Sequence, residues 1–204
     1  MRYKFSLKQA TYSGLLAGLI FLVLEMIMVP LFLGGSAWGP PRLIGAILLG
    51  RDVLPPPATF NFGVVLAAVI LHLALSVIYA IAIAAIVQRM SVTSAIIVGA
   101  IGGLVLYLVN FYLFTGWFEW MIAARTWVNI FAHISYGIAV GWAYRGGLNI
   151  RNKKIHDQAK REDSLEERRR KQARKHQEER LENQRKEPYI EEVSKEKRIR
   201  EEKR

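Results

Sequence analysis

The chain has 204 residues, 52% hydrophobic and 22% charged, and carries a formal net charge of +11. The charge is segregated: residues 1–144 hold 10 charged side chains and residues 145–204 hold 35, so an apolar block is followed by a charged tail. There is no cysteine, which excludes disulfides, thiolate metal sites, iron–sulfur clusters and thiol catalysis.

Arg2, Lys4 and Lys8 precede an apolar run over residues 10–33. That run exceeds the ~7–15 residues of a signal-peptide core and reaches the roughly 20 that a membrane span needs. An uncleaved first span is therefore expected, with Pro30 kinking or ending it near its far end. Residues 34–60 are punctuated by Gly and Pro. Pro40-Pro41 and Gly50 frame a helix of only about 16 Å, too short to cross, so a half-helix on the outer side is expected, with Arg42 and Arg51 at its ends. Further spans are expected over residues 62–87, 95–114 and 117–144. In the last, the apolar core is residues 127–144, and Trp117, Trp120 and Trp127 at one end with Trp142 and Tyr144 at the other fit two interfacial aromatic belts.

With four spans, Arg2, Lys4, Lys8, Arg89, Arg145 and the tail fall on one side of the membrane, and Arg42, Arg51 and Arg125 on the other. The positive-inside rule then places both termini in the cytoplasm and the protein in the cytoplasmic (inner) membrane. The tail, residues 145–204, is expected to be helical over about 164–187. Its start signal is a capping box, Ser164 to Glu167, reinforced by Glu166/Arg170 and Glu167/Lys171 pairs, and Pro188 is its stop. Leu165 and Leu181 are too sparse to sustain a heptad seam. The tail's 21 basic and 14 acidic residues alternate, which favours anionic lipid or a cytoplasmic protein as its partner over nucleic acid.

Each span pairs small residues with one polar group. The small residues are Gly14 and Gly18, Ser76 and Ala80 (with Ala84), Gly99 and Gly103, and Gly137 and Gly141; the polar groups are Glu25, His72, Asn110 and His133. Offsets of four and seven residues put each polar group on the same helical face as the small ones, which is the face suited to helix packing in lipid. Glu25, His72 and Asn110 lie roughly 22–24 Å from the cytoplasmic ends of their spans, and His133 about one turn lower. A shared cluster of the four is therefore expected. An ionisable group in a span costs roughly 2.5–3.5 kcal/mol, so partners are expected too. The residue types leave four roles open: interhelical hydrogen bonding, a proton or cation path, a metal site of His72, His133 and Glu25, or a haem b between His72 and His133. Arg42 reads first as an arginine at the level of the lipid headgroups and, as the alternative, as a group closing the outer mouth over an anion. There is no P-loop, Gly-x-Gly-x-x-Gly, Gly-x-Ser-x-Gly or His-Glu-x-x-His, and no catalytic residue is assigned.

The runs GLLAGLIFLVLEM, PPRLIGAILLGRDVLPPPATF, LHLALSVIYA, LVNFYLF and FAHISYGIAVGWAYR resemble a group of small four-span bacterial membrane proteins of unassigned function, some carrying the label "sodium:proline symporter". The resemblance covers residues 12–145 and implies an all-α, four-helix transmembrane bundle; it carries over no functional residue. Three functions are compatible with these features. The first, favoured by the charged tail, the small-residue packing faces and the absence of chemical motifs, is an accessory or scaffolding subunit of a larger membrane assembly, in contact with lipid and with other subunits or its own copies. The second is a small proton- or cation-coupled transporter or channel, and the third a redox protein binding haem, a metal or quinone.

Overall fold

Among residues 5–202, those described by the computed structural model, the chain forms five α-helices linked by short 3-10 and π segments, with no strand. Helix α1, Leu7–Leu33, starts where the Ser6 hydroxyl accepts the Gln9 N–H at 3.3 Å, and it ends on Gly34, whose φ of +64° caps its carbonyls. Pro30 lies within it, one turn from the end, where the lost hydrogen bond does little harm. Helix α2, Gly39–Leu49, takes Pro40 and Pro41 into its first turn, where their missing N–H groups have no intrahelical role. Asn61 caps α3, Phe62–Val87, by accepting from the Val64 N–H at 3.1 Å. Ser91 caps α4, Val92–Leu108, which continues as a π-helical turn over Val109–Leu113 and a 3-10 turn over Phe114–Gly116. A second 3-10 segment, Glu119–Ala124, leads to α5, Trp127–Glu202.

Three of these segments, Leu7–Leu33, Phe62–Val87 and Val92–Gly116, are long and apolar enough to cross a membrane. Their exposed positions are Leu and Ile, for example Leu19 and Ile27 on α1, Ile70 and Ile78 on α3, and Ile97 and Ile101 on α4, whereas the buried ones are largely small or polar. An apolar exterior around a small-residue interior is what lipid selects, because hydrocarbon gives large side chains no reason to turn inward.

The chain divides into two compact units, Met1–Ile150 and Arg151–Arg204. In the first, two helix pairs meet through backbone. A Cβ on Gly14 would lie 2.8 Å from Ala80 Cβ, and one on Gly18 2.6 Å from Ser76 Oγ, so α1 sits directly on α3. A Cβ on Gly99 would fall on the Gly137 carbonyl, one on Gly103 on the His133 carbonyl, and one on Gly141 on the Ala95 carbonyl, so α4 and α5 touch main chain to main chain. Polar ties complete the unit. Gln9 Nε2 donates to the Ala143 carbonyl at 3.0 Å, and Arg145 donates to the Gln88 carbonyl at 3.0 Å, where a cation suits the C-terminus of α3. Trp120 Nε1 donates to the Leu43 carbonyl at 3.1 Å and anchors α2.

Several boundaries differ from expectation. The fourth apolar helix does not begin at Trp117. Phe118 and Arg125 have ψ values of 69° and 68°, outside the helical range, and Thr126 caps α5 through the Asn129 N–H at 3.3 Å. In the second unit the helix neither starts at Ser164 nor stops at Pro188: both lie inside α5. The Ser164 hydroxyl donates back to the Arg161 carbonyl at 2.7 Å and caps nothing. The carbonyl that Pro188 deprives of a partner belongs to Gln184, an exposed residue, so the lost bond leaves no buried polar group. The expected Glu166–Arg170 and Glu167–Lys171 pairs are present at 3.7 and 2.7 Å, and Glu182–Lys186 at 2.5 Å adds a third.

The α4–α5 contact has no room for side chains. Gly99→Leu or Gly137→Leu should lower the stability of the detergent-solubilised protein by at least about 1–3 kcal/mol, the usual cost of overpacking. Gly146→Ala, at a helical glycine with nothing within 4 Å of the added carbon, should be neutral or stabilising. Thermal unfolding followed by circular dichroism separates the two; equal losses would disprove the close contact.

Candidate functional site

The first unit holds a partly open cavity of about 430 Å³ bounded by α1, α2, α3, the α4–π segment, the 3-10 turn at Glu119–Ala124 and the start of α5. Along α1 the lining advances through Phe21, Glu25, Val29 and Leu33; along α5 it advances through Thr126, Asn129, His133 and Tyr136. Twelve residues at 1.5 Å each make the cavity about 18 Å long. Helix α2 and the turns contribute a mainly apolar wall, including Leu43, Ile44, Ile47, Phe118 and Met121. Size and character match a site for a small apolar molecule.

The polar groups within it are wired. Tyr79 donates to Asn110 Oδ1 at 2.8 Å, and Asn110 Nδ2 lies 3.2 Å from His133 Nε2, whose Nδ1 lies 2.8 Å from the Asn129 carbonyl. A carbonyl only accepts, so His133 carries its proton on Nδ1 and accepts from the Asn110 amide through Nε2. By the same reasoning His72 donates from Nε2 to the Gly18 carbonyl at 3.1 Å, which leaves Nδ1 as an acceptor. Tyr136 donates to the Ser76 carbonyl. Phe21 packs against both imidazoles, with ring centroids 5.0 Å from His72 and 4.8 Å from His133. Among the described residues that line the cavity, two buried side-chain atoms have no protein partner: Glu25 Oε1 and Asn129 Oδ1, in residues that are 3% and 6% exposed.

The four polar residues singled out from the sequence, Glu25, His72, Asn110 and His133, all line this cavity. The expected offset of His133 is present: its carbonyl lies against Gly103, seven residues before Asn110, and the Asn110–His133 side-chain hydrogen bond spans the difference. Tyr79, Phe21 and Asn129 are site residues that residue type alone did not single out. Arg125 does not line the cavity but supports it from outside. Its Nε donates to the Phe111 carbonyl at 2.7 Å, its Nη2 donates to Thr115 Oγ1 at 2.8 Å, and it stacks 4.4 Å over the Tyr112 ring. It thereby occupies the carbonyl of Phe111, within the π turn that carries Asn110.

Two expectations need correction. Arg42 does not await an anion: its guanidinium donates to the Val53 carbonyl at 2.6 Å and the Thr59 carbonyl at 3.1 Å, pinning the segment after α2. His72, His133 and Glu25 do not assemble as a metal site, for no cluster of three such side chains occurs among the described residues. With His133 Nε2 against Asn110 and His72 Nε2 against Gly18, neither ring offers that nitrogen to a haem iron, and Phe21 contacts both rings.

Comparison with protein-family models, with curated proteins and with solved structures finds no match to this chain. Among the described residues, the fold and site define an all-helical protein with three membrane-length apolar helices and a partly open cavity between them.

Opposite stability effects should distinguish the two kinds of polar residue. Asn110→Leu strands Tyr79 and His133 and should cost about 1–3 kcal/mol, whereas Glu25→Gln removes a carboxyl without a protein partner and should leave the melting temperature unchanged or higher. A drop for Glu25→Gln equal to that of Asn110→Leu would mean that Glu25 belongs to the structural network.

Proposed function

We propose that this protein is a four-span integral membrane protein that binds a membrane-soluble small molecule inside its bundle, in the manner of a small carrier or transporter. The observation that carries this reading is the cavity: apolar along most of its length, it also holds hydrogen-bond acceptors left without protein partners. A bundle that used its polar residues only for helix contacts would leave no such void, because packing in lipid depends on close van der Waals contact. Residues 127–150 of α5 serve as the fourth span. They are less uniformly apolar than the other three, and their polar residues Asn129 and His133 are buried at the cavity. Both termini are cytoplasmic in this reading, supported by the distribution of basic residues.

An accessory role in a larger assembly is the second reading. The charge-alternating surface of the second unit favours it, with its described side chains almost all exposed and available to a cytoplasmic protein or to anionic lipid.

Topology is testable directly because the chain has no cysteine. A membrane-impermeant maleimide should label Asp52→Cys from outside intact cells and Ser164→Cys only after the inner face is opened. Labelling of both from one side would remove the four-span topology. For the cavity, a neutral amphiphile of fitting size, 4-phenylbutan-1-ol, should raise the melting temperature of the solubilised protein saturably. At one hundred times its dissociation constant the gain is about 2.7 kcal/mol. If no compound of this size gives a saturable shift and the protein is isolated with stoichiometric larger subunits, the accessory reading replaces this one.

A further inference from the structure

We infer that the cavity is built for an organic ammonium, an amine on an apolar body, held by the Glu25 carboxylate and the Asn129 side-chain oxygen. This rests on the cavity-binding reading and specifies the chemical class of its ligand.

Both unpartnered atoms, Glu25 Oε1 and Asn129 Oδ1, are acceptors, and both residues line the cavity. His72 adds a third acceptor, Nδ1, because its other nitrogen donates to Gly18. The ligand's head must therefore donate. Its charge follows from the lining, which contains one carboxyl group and neither lysine nor arginine. An anionic head would meet the carboxyl with nothing to offset the repulsion. The ammonium of a phospholipid brings a phosphate that meets the same obstacle. A bare metal cation is poorly served, since hard cations need about six oxygen ligands and the walls are mainly apolar. An ammonium offsets the buried carboxylate charge, brings N–H donors to a cavity lined by open acceptors, and finds the rings of Phe21, Phe111, Tyr79 and Tyr136 in the same cavity for cation–π attraction. The apolar body fits the wall formed by α2, with Leu43, Ile44 and Ile47.

The test uses the full chain in detergent at pH 7 and three probes of one shape: 4-phenylbutylamine, 4-phenylbutan-1-ol and 4-phenylbutyrate, titrated calorimetrically. The amine should bind at least about tenfold more tightly than the alcohol, as a charge-assisted contact predicts, and the carboxylate should not bind. Glu25→Gln should reduce the amine to the affinity of the alcohol while leaving the alcohol's own affinity in place, which shows that the variant is folded and its cavity open. Asn129→Leu should weaken the amine more than the alcohol. If amine and alcohol bind equally, and Glu25→Gln changes neither, the ammonium assignment is overturned and the cavity reading stands. If none of the three binds saturably, both fall.

Discussion

Everything in the membrane unit depends on one contact, the main-chain approach of α4 to α5 through Gly99, Gly103, Gly137 and Gly141. In lipid no hydrophobic effect presses helices together, so association depends on how closely backbones approach and on the bonds formed once they do. The glycines set the register. With Gly103 against the His133 carbonyl, Asn110, two turns further along, reaches the imidazole of His133. A one-residue slip would turn both side chains away. The α1–α3 pair follows the same logic with Gly14 and Gly18 against Ala80 and Ser76, and it delivers Phe21 to the histidines and Glu25 to the cavity.

The cavity follows from where these small residues stop. Beyond Gly18 on α1 and Gly103 on α4 the facing positions become Phe21, Glu25, Leu106 and Asn110, so the helices can no longer touch backbone to backbone. Helix α2 is too short to cross and lies against α3, where Gly45 meets the Val64 carbonyl, and it closes the side of the resulting space. Two arginines hold this wider part without entering it: Arg42 gathers the loop after α2, and Arg125 occupies the Phe111 carbonyl in the π turn. Their guanidinium groups do here what water does at the end of a soluble helix.

Much of this was legible in the sequence because helical periodicity is strict. Steps of four and seven placed Glu25, His72, Asn110 and His133 on the small-residue faces, and the structure brings all four to one cavity. Apolar run length located α1 and α3 to within a few residues. What escaped depends on bonds between segments distant in the chain. No local pattern marks the π turn at Val109–Leu113, which is tied to Arg125 fourteen residues away from Phe111. Tyr79 and Asn129 look like ordinary span residues until Asn110 and His133 are set beside them. Arg42 looked free for an anion because its carbonyl partners belong to the loop and have no side-chain signature. In the tail, Ser164 and Pro188 carry real start and stop signals, but exposed helical residues on either side continue through both.

The contrast between Asn110 and Glu25 bears most directly on function. Asn110 accepts from Tyr79 and is paired with His133, which is in turn tied to the Asn129 main chain, so that line of groups is closed. Its contribution is to fix three helices relative to one another. Glu25 lines the same cavity and is more deeply buried than Asn110, yet the same fold that satisfies its neighbours leaves its Oε1 without a donor. Burying a carboxyl in that way costs several kcal/mol unless something compensates it. A glutamine there would be cheaper for packing alone, and a leucine cheaper still. The cavity beside the carboxyl and the second open acceptor on Asn129 support the proposal that a molecule entering the cavity supplies this compensation.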